Sequence, residues 1–164
     1  MRGGVDMSKC SSGLFSSTIG ASAVYFSAIA EHAVFARDNR QILDPNGIRY
    51  SQVSVNGSAE IIKSMKAHGW QGEPIDVVRM SDGELTTIDN TRVVAAREAG
   101  IDVVANVHGY DDPLPDRTLA ERFATPKGGI PKTWGQAVEN RIGKQSTSFR
   151  KNNPNGSYNM KKIK

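Results

Sequence analysis

The chain has 164 residues, enough for one domain or one domain plus an appendage, and its hydrophobic fraction of 38% supports a single core of modest size. The net charge of +4 and pI of 9.3 point towards polyanionic partners. With Cys10 as the only cysteine, a disulfide framework or a cysteine-rich zinc site within one chain is excluded, and His32, His68 and His108 match no metal-ligand spacing.

Met1 to Ser12 reads as disordered. Gly13 to Ala36 is the most apolar stretch, but its Ser and Gly content, followed by Glu31 and His32, makes it too polar for a stable membrane span. It reads as a helix that packs on another surface. A signal peptide stays open as an alternative, because Arg2 precedes the apolar run and small residues follow at Gly20-Ala21-Ser22-Ala23. Arg37 to Gly47 reads as a linker that closes on the Asp44-Pro45-Asn46-Gly47 turn signal. Two segments are therefore expected, an N-terminal apolar helix and linker over 1–46 and a folded domain over 47–164.

Ile48 to Val55 alternates like a strand, and Asn56-Gly57-Ser58 then caps a helix whose apolar face is Ile61, Ile62 and Met65 and which ends near His68-Gly69. Ile75 to Met80 is the next strand, Ser81-Asp82-Gly83 a hairpin turn and Leu85 to Ile88 the returning strand. Asp89 or Asn90 caps a helix that stops at Gly100, and Val103 to His108 is a further strand. This order predicts an α+β fold, a small mixed β-sheet with a β-α-β-β-α-β core over 48–108 and helices on one side. A short helix is expected near Arg117–Phe123, a Gly-Pro loop at Pro126–Pro131 and a helix from Thr133 to Lys144. The remainder, with Asn152-Asn153-Pro154-Asn155-Gly156, reads as mostly irregular, so that a basic, helical C-terminal extension follows the core.

Charge is segregated along the chain. Residues 116–164 hold eleven Lys and Arg against three Asp and Glu, whereas residues 1–115 hold ten against fourteen. Such a basic third suits a phosphate backbone, the alternative being a solubilising tail.

Three groups of residues carry chemistry. Thr87-Ile88-Asp89-Asn90-Thr91-Arg92 ends a strand and opens a helix, where free N–H groups and the helix dipole favour an anion and Arg92 supplies a guanidinium fork. Asp89 there either accepts a proton, orients the arginine or only caps the helix. His108 ends the last core strand and either moves protons or is a hydrogen-bonded structural histidine. Trp134, Arg141, Lys144 and Gln145 lie on or beside one stripe of the Thr133 helix, with Phe149-Arg150-Lys151 beyond it. The cations at its edge suit phosphate and the aromatics suit stacked bases, unless the stripe is simply core.

The stretch from Gly69-Trp70 to Tyr110 resembles the ParB/sulfiredoxin-like superfamily, on Ile75-Asp76-Val77, Asp82-Gly83, Ile88-Asp89-Asn90-Thr91-Arg92 and Ala95-Ala96. The longer run DNTRVVAAREAGIDVVANVH, followed by DDPLP and KTWGQAVENRI, is similar to ParB-like toxin domains at the C-termini of filamentous-haemagglutinin and Rhs-type polymorphic toxins. The resemblance implies a nuclease of contact-dependent growth inhibition. Such a domain is carried at the cell surface in a larger toxin, acts in a rival's cytoplasm and is neutralised by a cognate, acidic immunity protein. Residues 1–46 would then be the end of a translocation region, and the domain a monomer when free. Asn90 stands where sulfiredoxins carry their nucleophilic cysteine, and the Arg-Arg pair of nucleotide-binding ParB proteins is absent.

The expected activity is a metal-independent ribonuclease, with tRNA as the expected substrate and no cofactor. Asp89 and His108 are the acid/base candidates. Thr91 and Arg92 complete the catalytic set, Arg92 sharing charge stabilisation with Arg141 and Lys144. Asn90, Trp134, Gln145, Arg150 and Lys151 complete the substrate-binding surface. The alternatives are a DNase, in which Asp89 with Asp82 or Asp111 recruits Mg²⁺, a nucleotide-binding ATPase or phosphotransferase, and a DNA-binding adaptor.

Overall fold

Alternation along the fourth strand explains how the sheet acquires two dry faces. In the computed structural model, which describes residues 39–160 and the backbone of 162–163, Ile75 and Val77 enter one core while Val78 and Met80 enter another on the opposite side. The strands are β1 (Arg40–Leu43), β2 (Ile48–Tyr50), β3 (Ser54–Val55), β4 (Ile75–Arg79), β5 (Leu85–Thr87), β6 (Val103–Gly109) and β7 (Lys162–Ile163). The helices are α1 (Ala59–His68), α2 (Asn90–Ala99), α3 (Arg117–Arg122), α4 (Trp134–Gly143) and α5 (Thr147–Asn152), with a 3-10 turn at Pro45–Gly47.

The main sheet is mixed, in the order β1-β6-β4-β5-β2. β4 pairs parallel with β6 and antiparallel with β5, β5 pairs parallel with β2, and β1 pairs antiparallel with β6. β3 and β7 form a separate two-stranded parallel pair. The fold is thus α+β with a five-stranded mixed sheet; from β2 to β6 its strands and helices run β2, α1, β4, β5, α2, β6, with β3 of the separate pair interposed before α1. Helices α1 and α2 share one face, where Met65 and the run Val93-Val94-Ala95-Ala96 join Ile75, Val77 and Val103. The opposite face is not bare: Trp134, Val138 and Ile142 of α4 and Phe149 of α5 cover Val78 and Met80.

Four expectations are corrected. The supposed linker contains β1, whose Arg40 to Leu43 register with Asn106 to Val103 extends the sheet beyond β6. The strand expected over 48–55 is broken at residues 51–53, where the Ser51 amide donates to the Asn90 side chain at 2.8 Å and leaves the ladder. Ser58 occupies the N-cap of α1 but makes no side-chain capping bond. The stretch expected to be mostly irregular contains α5, capped by Ser146, and Tyr50 and Ser157 exchange backbone hydrogen bonds of 2.7 and 2.9 Å, which covers the free edge of β2. The helix expected over 13–36 lies outside the described residues. Asp38–Lys164 forms one compact unit, and no helix among the described residues is long and apolar enough to cross a membrane.

Two arginines staple this edge. Buried Arg49 donates to both Asp82 oxygens at 2.6 and 2.8 Å and to Thr86 Oγ1 at 3.1 Å. Arg97 donates to the carbonyls of Pro45, Ile48 and Tyr158 and lies 4.4 Å from the Tyr50 ring. The Arg49 hydrogen bonds hold the Asp82 carboxyl well below the usual carboxylate range; those from Asn155 and the Glu84 amide add to this, against the opposing effect of desolvation.

Since that folded value lies below the unfolded one, the stabilisation is complete above about pH 4 and is lost as the pH falls through the folded value. Asp82→Asn is expected to cost about 1–2 kcal/mol at neutral pH, modest because the carboxylate is partly solvated. The gap to the parent should begin to narrow in urea melts below about pH 4 and keep narrowing as the pH falls. Gly135, where a Cβ would overlap the Tyr110 ring, gives a second expectation: Gly135→Ala should lower stability by about 1–3 kcal/mol in the same assay.

Candidate functional site

The β5–α2 corner is shaped by its own side chains. Thr87 Oγ1 accepts from the Asp89 amide at 2.9 Å, and the Asp89 carboxylate caps α2 by accepting from the Arg92 amide at 3.3 Å. The same carboxylate binds Arg92 Nε at 2.7 Å, while Arg92 Nη1 donates to the Glu73 carbonyl at 2.6 Å and the guanidinium lies 5.5 Å from the Trp70 ring. Arg92 is therefore fixed, with Nη2 left without a hydrogen bond among the described residues. Gly100 closes the far end of the helix in the left-handed region, at φ 69°.

A cleft of about 300 Å³ opens at this corner. Asp89, Asn90, Thr91 and Arg92 form one wall; Asp76 of β4, Arg141 of α4, and Arg122 and Phe123 at the end of α3 form the others. The guanidinium carbons of Arg122 and Arg141 lie 5.9 and 5.8 Å from the Phe123 ring. Burial pushes the Arg141 guanidinium below its ordinary range; Asp89 opposes this and Arg122 reinforces it. Arg141 Nη2 donates to Gln52 Oε1 at 3.2 Å, but its buried Nε has no partner among the described residues. Arg122 makes no hydrogen bond among them either. Three guanidinia thus face two carboxylates at the N-terminus of a ten-residue helix, and the unsatisfied donors are those an anion would occupy.

His108 reaches the cleft through Asp76. Parallel pairing of β4 and β6 places Val78 beside His108, and His108 Nε2 lies 2.9 Å from Asp76 Oδ1. The imidazole stacks on Trp134 at 3.9 Å and 10° between planes, which fixes its orientation. Asp76 lines the cleft, and its Oδ2 has no partner among the described residues.

Of the residues expected at the site, Asp89, Asn90, Thr91, Arg92 and Arg141 meet in the cleft wall, and His108 adjoins it. Trp134 does not reach it; only 4% exposed, it belongs to the core beneath His108. Asn90 is 1% exposed and saturated by Ser51 and Gln52. Gln145 is spent on the backbone, accepting from the Val53 amide and donating to the Arg141 carbonyl. Lys144 and Arg150 line a different cavity, and Lys151 is exposed. Asp82 is bound to Arg49, neither Asp82 nor Asp111 lines the cleft, and among the described residues no three His, Cys, Asp or Glu side chains cluster. Asp76, Gln52, Arg122 and Phe123 were not foreseen. The visible signal was a carboxylate inside an otherwise apolar strand, Ile75-Asp76-Val77-Val78.

These placements separate scaffold from site. Asn90→Ala should cost about 1–3 kcal/mol and Trp134→Ala about 3–5 kcal/mol in chemical denaturation, whereas Arg122→Ala should leave stability within about 0.5 kcal/mol. Equal losses for all three would assign Arg122 to the scaffold as well. Compared with known proteins, the chain matches no family model, no curated protein and no solved structure.

Proposed function

We propose that the chain is a ribonuclease that binds a phosphodiester in the β5–α2 cleft and cleaves it without a resident metal. The observation that carries this reading is the convergence of Arg92, Arg122 and Arg141 on a cleft also lined by Asp76, whose carboxylate is backed by a histidine. RNA supplies its own nucleophile, so the protein must provide only a proton acceptor and charge stabilisation. In this scheme Asp76, held by His108, takes the 2′-hydroxyl proton, the O2′–P bond forms and the P–O5′ bond breaks. The leaving oxygen takes its proton from water at the mouth of the cleft. The unbonded donors of Arg122, Arg141 and Arg92 neutralise the phosphorane. Asp89, with both oxygens engaged, positions Arg92 and is a poorer base than Asp76.

The narrower reading is a ParB/sulfiredoxin-like toxin domain of the contact-dependent kind, directed at tRNA and held by an acidic immunity protein. It draws on the motif resemblance, on the β-α-β-β-α-β element order and on the position of Asp89-Asn90-Thr91-Arg92 at the cleft. A second reading, a mononucleotide-dependent enzyme, is favoured by one observation: Arg92 also lines a neighbouring cavity of about 320 Å³ whose walls include Ile61 and Met65 and could take a base.

Incubation of the purified chain with total RNA and with plasmid DNA, with and without EDTA, is the direct test. RNA should be cut and DNA spared, with EDTA without effect. Asp76→Asn and His108→Ala should each slow cleavage by about 10²–10⁴-fold, with folding checked by circular dichroism. Undiminished cutting by both variants would remove the proposed base, and loss of activity in EDTA would favour the DNase-like alternative.

A further inference from the structure

A second cavity, of about 570 Å³, flanks the same helix. Its walls continue those of the cleft. Arg122 and Phe123 line the cleft, and the chain passes directly into Thr125–Gly128, which line the second cavity. On α4 and its C-cap, Asn140 and Lys144 lie one turn apart and line the second cavity, whereas Arg141, about 100° round the helix, lines the cleft. The C-terminal half of α4 is therefore a ridge between two adjoining hollows.

The second hollow is cationic and preformed. Lys127, Lys144 and Arg150 line it, and none pairs with a carboxylate among the described residues; Arg150 bonds only the Gly143 carbonyl and Thr147 Oγ1. The one carboxylate in its wall, Glu139, accepts from the Tyr110 hydroxyl through Oε1 at 2.6 Å, which pushes the Tyr110 pKa up to about 12. The loop is held by reciprocal Thr125–Gly129 backbone bonds of 3.1 and 2.8 Å, and Asn140 donates to the Gly129 carbonyl at 3.1 Å. A Cβ at Gly128 would overlap Asn140, so the close approach of loop to helix requires glycine there. Pro126 and the glycines Gly128 and Gly143 complete the wall of the hollow.

We infer that this cavity receives the nucleotide adjoining the phosphate gripped by the cleft, so that the ligand is a single-stranded polynucleotide laid across the α4 ridge and not a mononucleotide. The inference rests on the cleft reading above and adds Lys127 and Lys144 as contacts to a second phosphate. The charge complementarity of three unpaired cations selects a polyanion over an apolar occupant.

The test is anisotropy titration with a 2′-O-methyl oligoribonucleotide of about eight residues, which cannot be cleaved through its 2′-oxygen, and with a mononucleotide. In the Lys127→Glu/Lys144→Glu double variant, oligonucleotide affinity should fall at least about tenfold, and the slope of log affinity against log salt should shrink by roughly two. Mononucleotide affinity should be unchanged. Arg122→Ala should weaken both ligands. Unaltered oligonucleotide affinity and salt slope in the double variant, with Arg122→Ala still damaging, would overturn this inference and leave the cleft reading standing. No oligonucleotide binding by the parent chain would overturn both.

Discussion

Gln52 Oε1 accepts two hydrogen bonds, from Asn90 Nδ2 at 3.1 Å and from Arg141 Nη2 at 3.2 Å. One oxygen thereby joins the start of α2, the bend after β2 and the last turn of α4, three elements that lie far apart in the chain. Asn90 completes the lock with its own Oδ1, which accepts from the Ser51 amide. Polar atoms held in such a buried lattice are costly to leave unpaired, so the three elements keep one arrangement. The cleft inherits its rigidity from this arrangement, because Arg141 belongs to it and Asp89 and Arg92 flank Asn90 in sequence. The broken strand at residues 51–53 is the other side of the same constraint: the backbone there serves a side chain instead of a ladder.

The cleft is preorganised on a second count. Arg92 is held by a carboxylate, a carbonyl and an aromatic face, and His108 is held between Asp76 and Trp134. On the ribonuclease reading proposed above, fixed donors and a fixed proton acceptor would not have to reorganise when charge develops, which is where a protein site outperforms water. The same residues explain why the surface divides into roles. Arg122, exposed and without hydrogen bonds among the described residues, is free to meet a ligand, while Asn90 and Trp134 are committed to the interior.

The core topology was legible because its signals are local. A β-branched, apolar run marks β4, Asp82-Gly83 marks the hairpin, and Gly69 and Gly100 mark helix ends. β1 was not legible, because Arg40-Gln41-Ile42-Leu43 is short, exposed and followed by a strong turn signal. Its justification lies in β6, some sixty residues on. The α2 corner could be read from Asp89 and Arg92, since capping and an anion-binding helix start are sequence-local. Asp76 could not, because its importance depends on the register that sets β4 against β6 and on the stacking that aims His108. Gln52 and Arg122 carry no pattern of their own; Gln52 matters through its bonds to Asn90 and Arg141, and only the packing of α3 against the second face of the sheet brings Arg122 to the cleft. The same packing turned the Trp134 stripe into core and sent Lys144 and Arg150 to a separate hollow.

The strap formed by Asn155 to Tyr158 has an implication for how the molecule is made. Asn155 and Ser157 complete the hydrogen bonding of Thr86, Asp82 and Tyr50, and Tyr158 that of Arg97. During synthesis, β2 and β5 emerge well before the groups that seal their edge: Asn155 follows Thr86 by 69 residues. Until then the rim of the sheet is open to any extended chain nearby. Native closure is therefore a late, long-range event, and a nascent chain halted before residue 155 should be the species most prone to self-association.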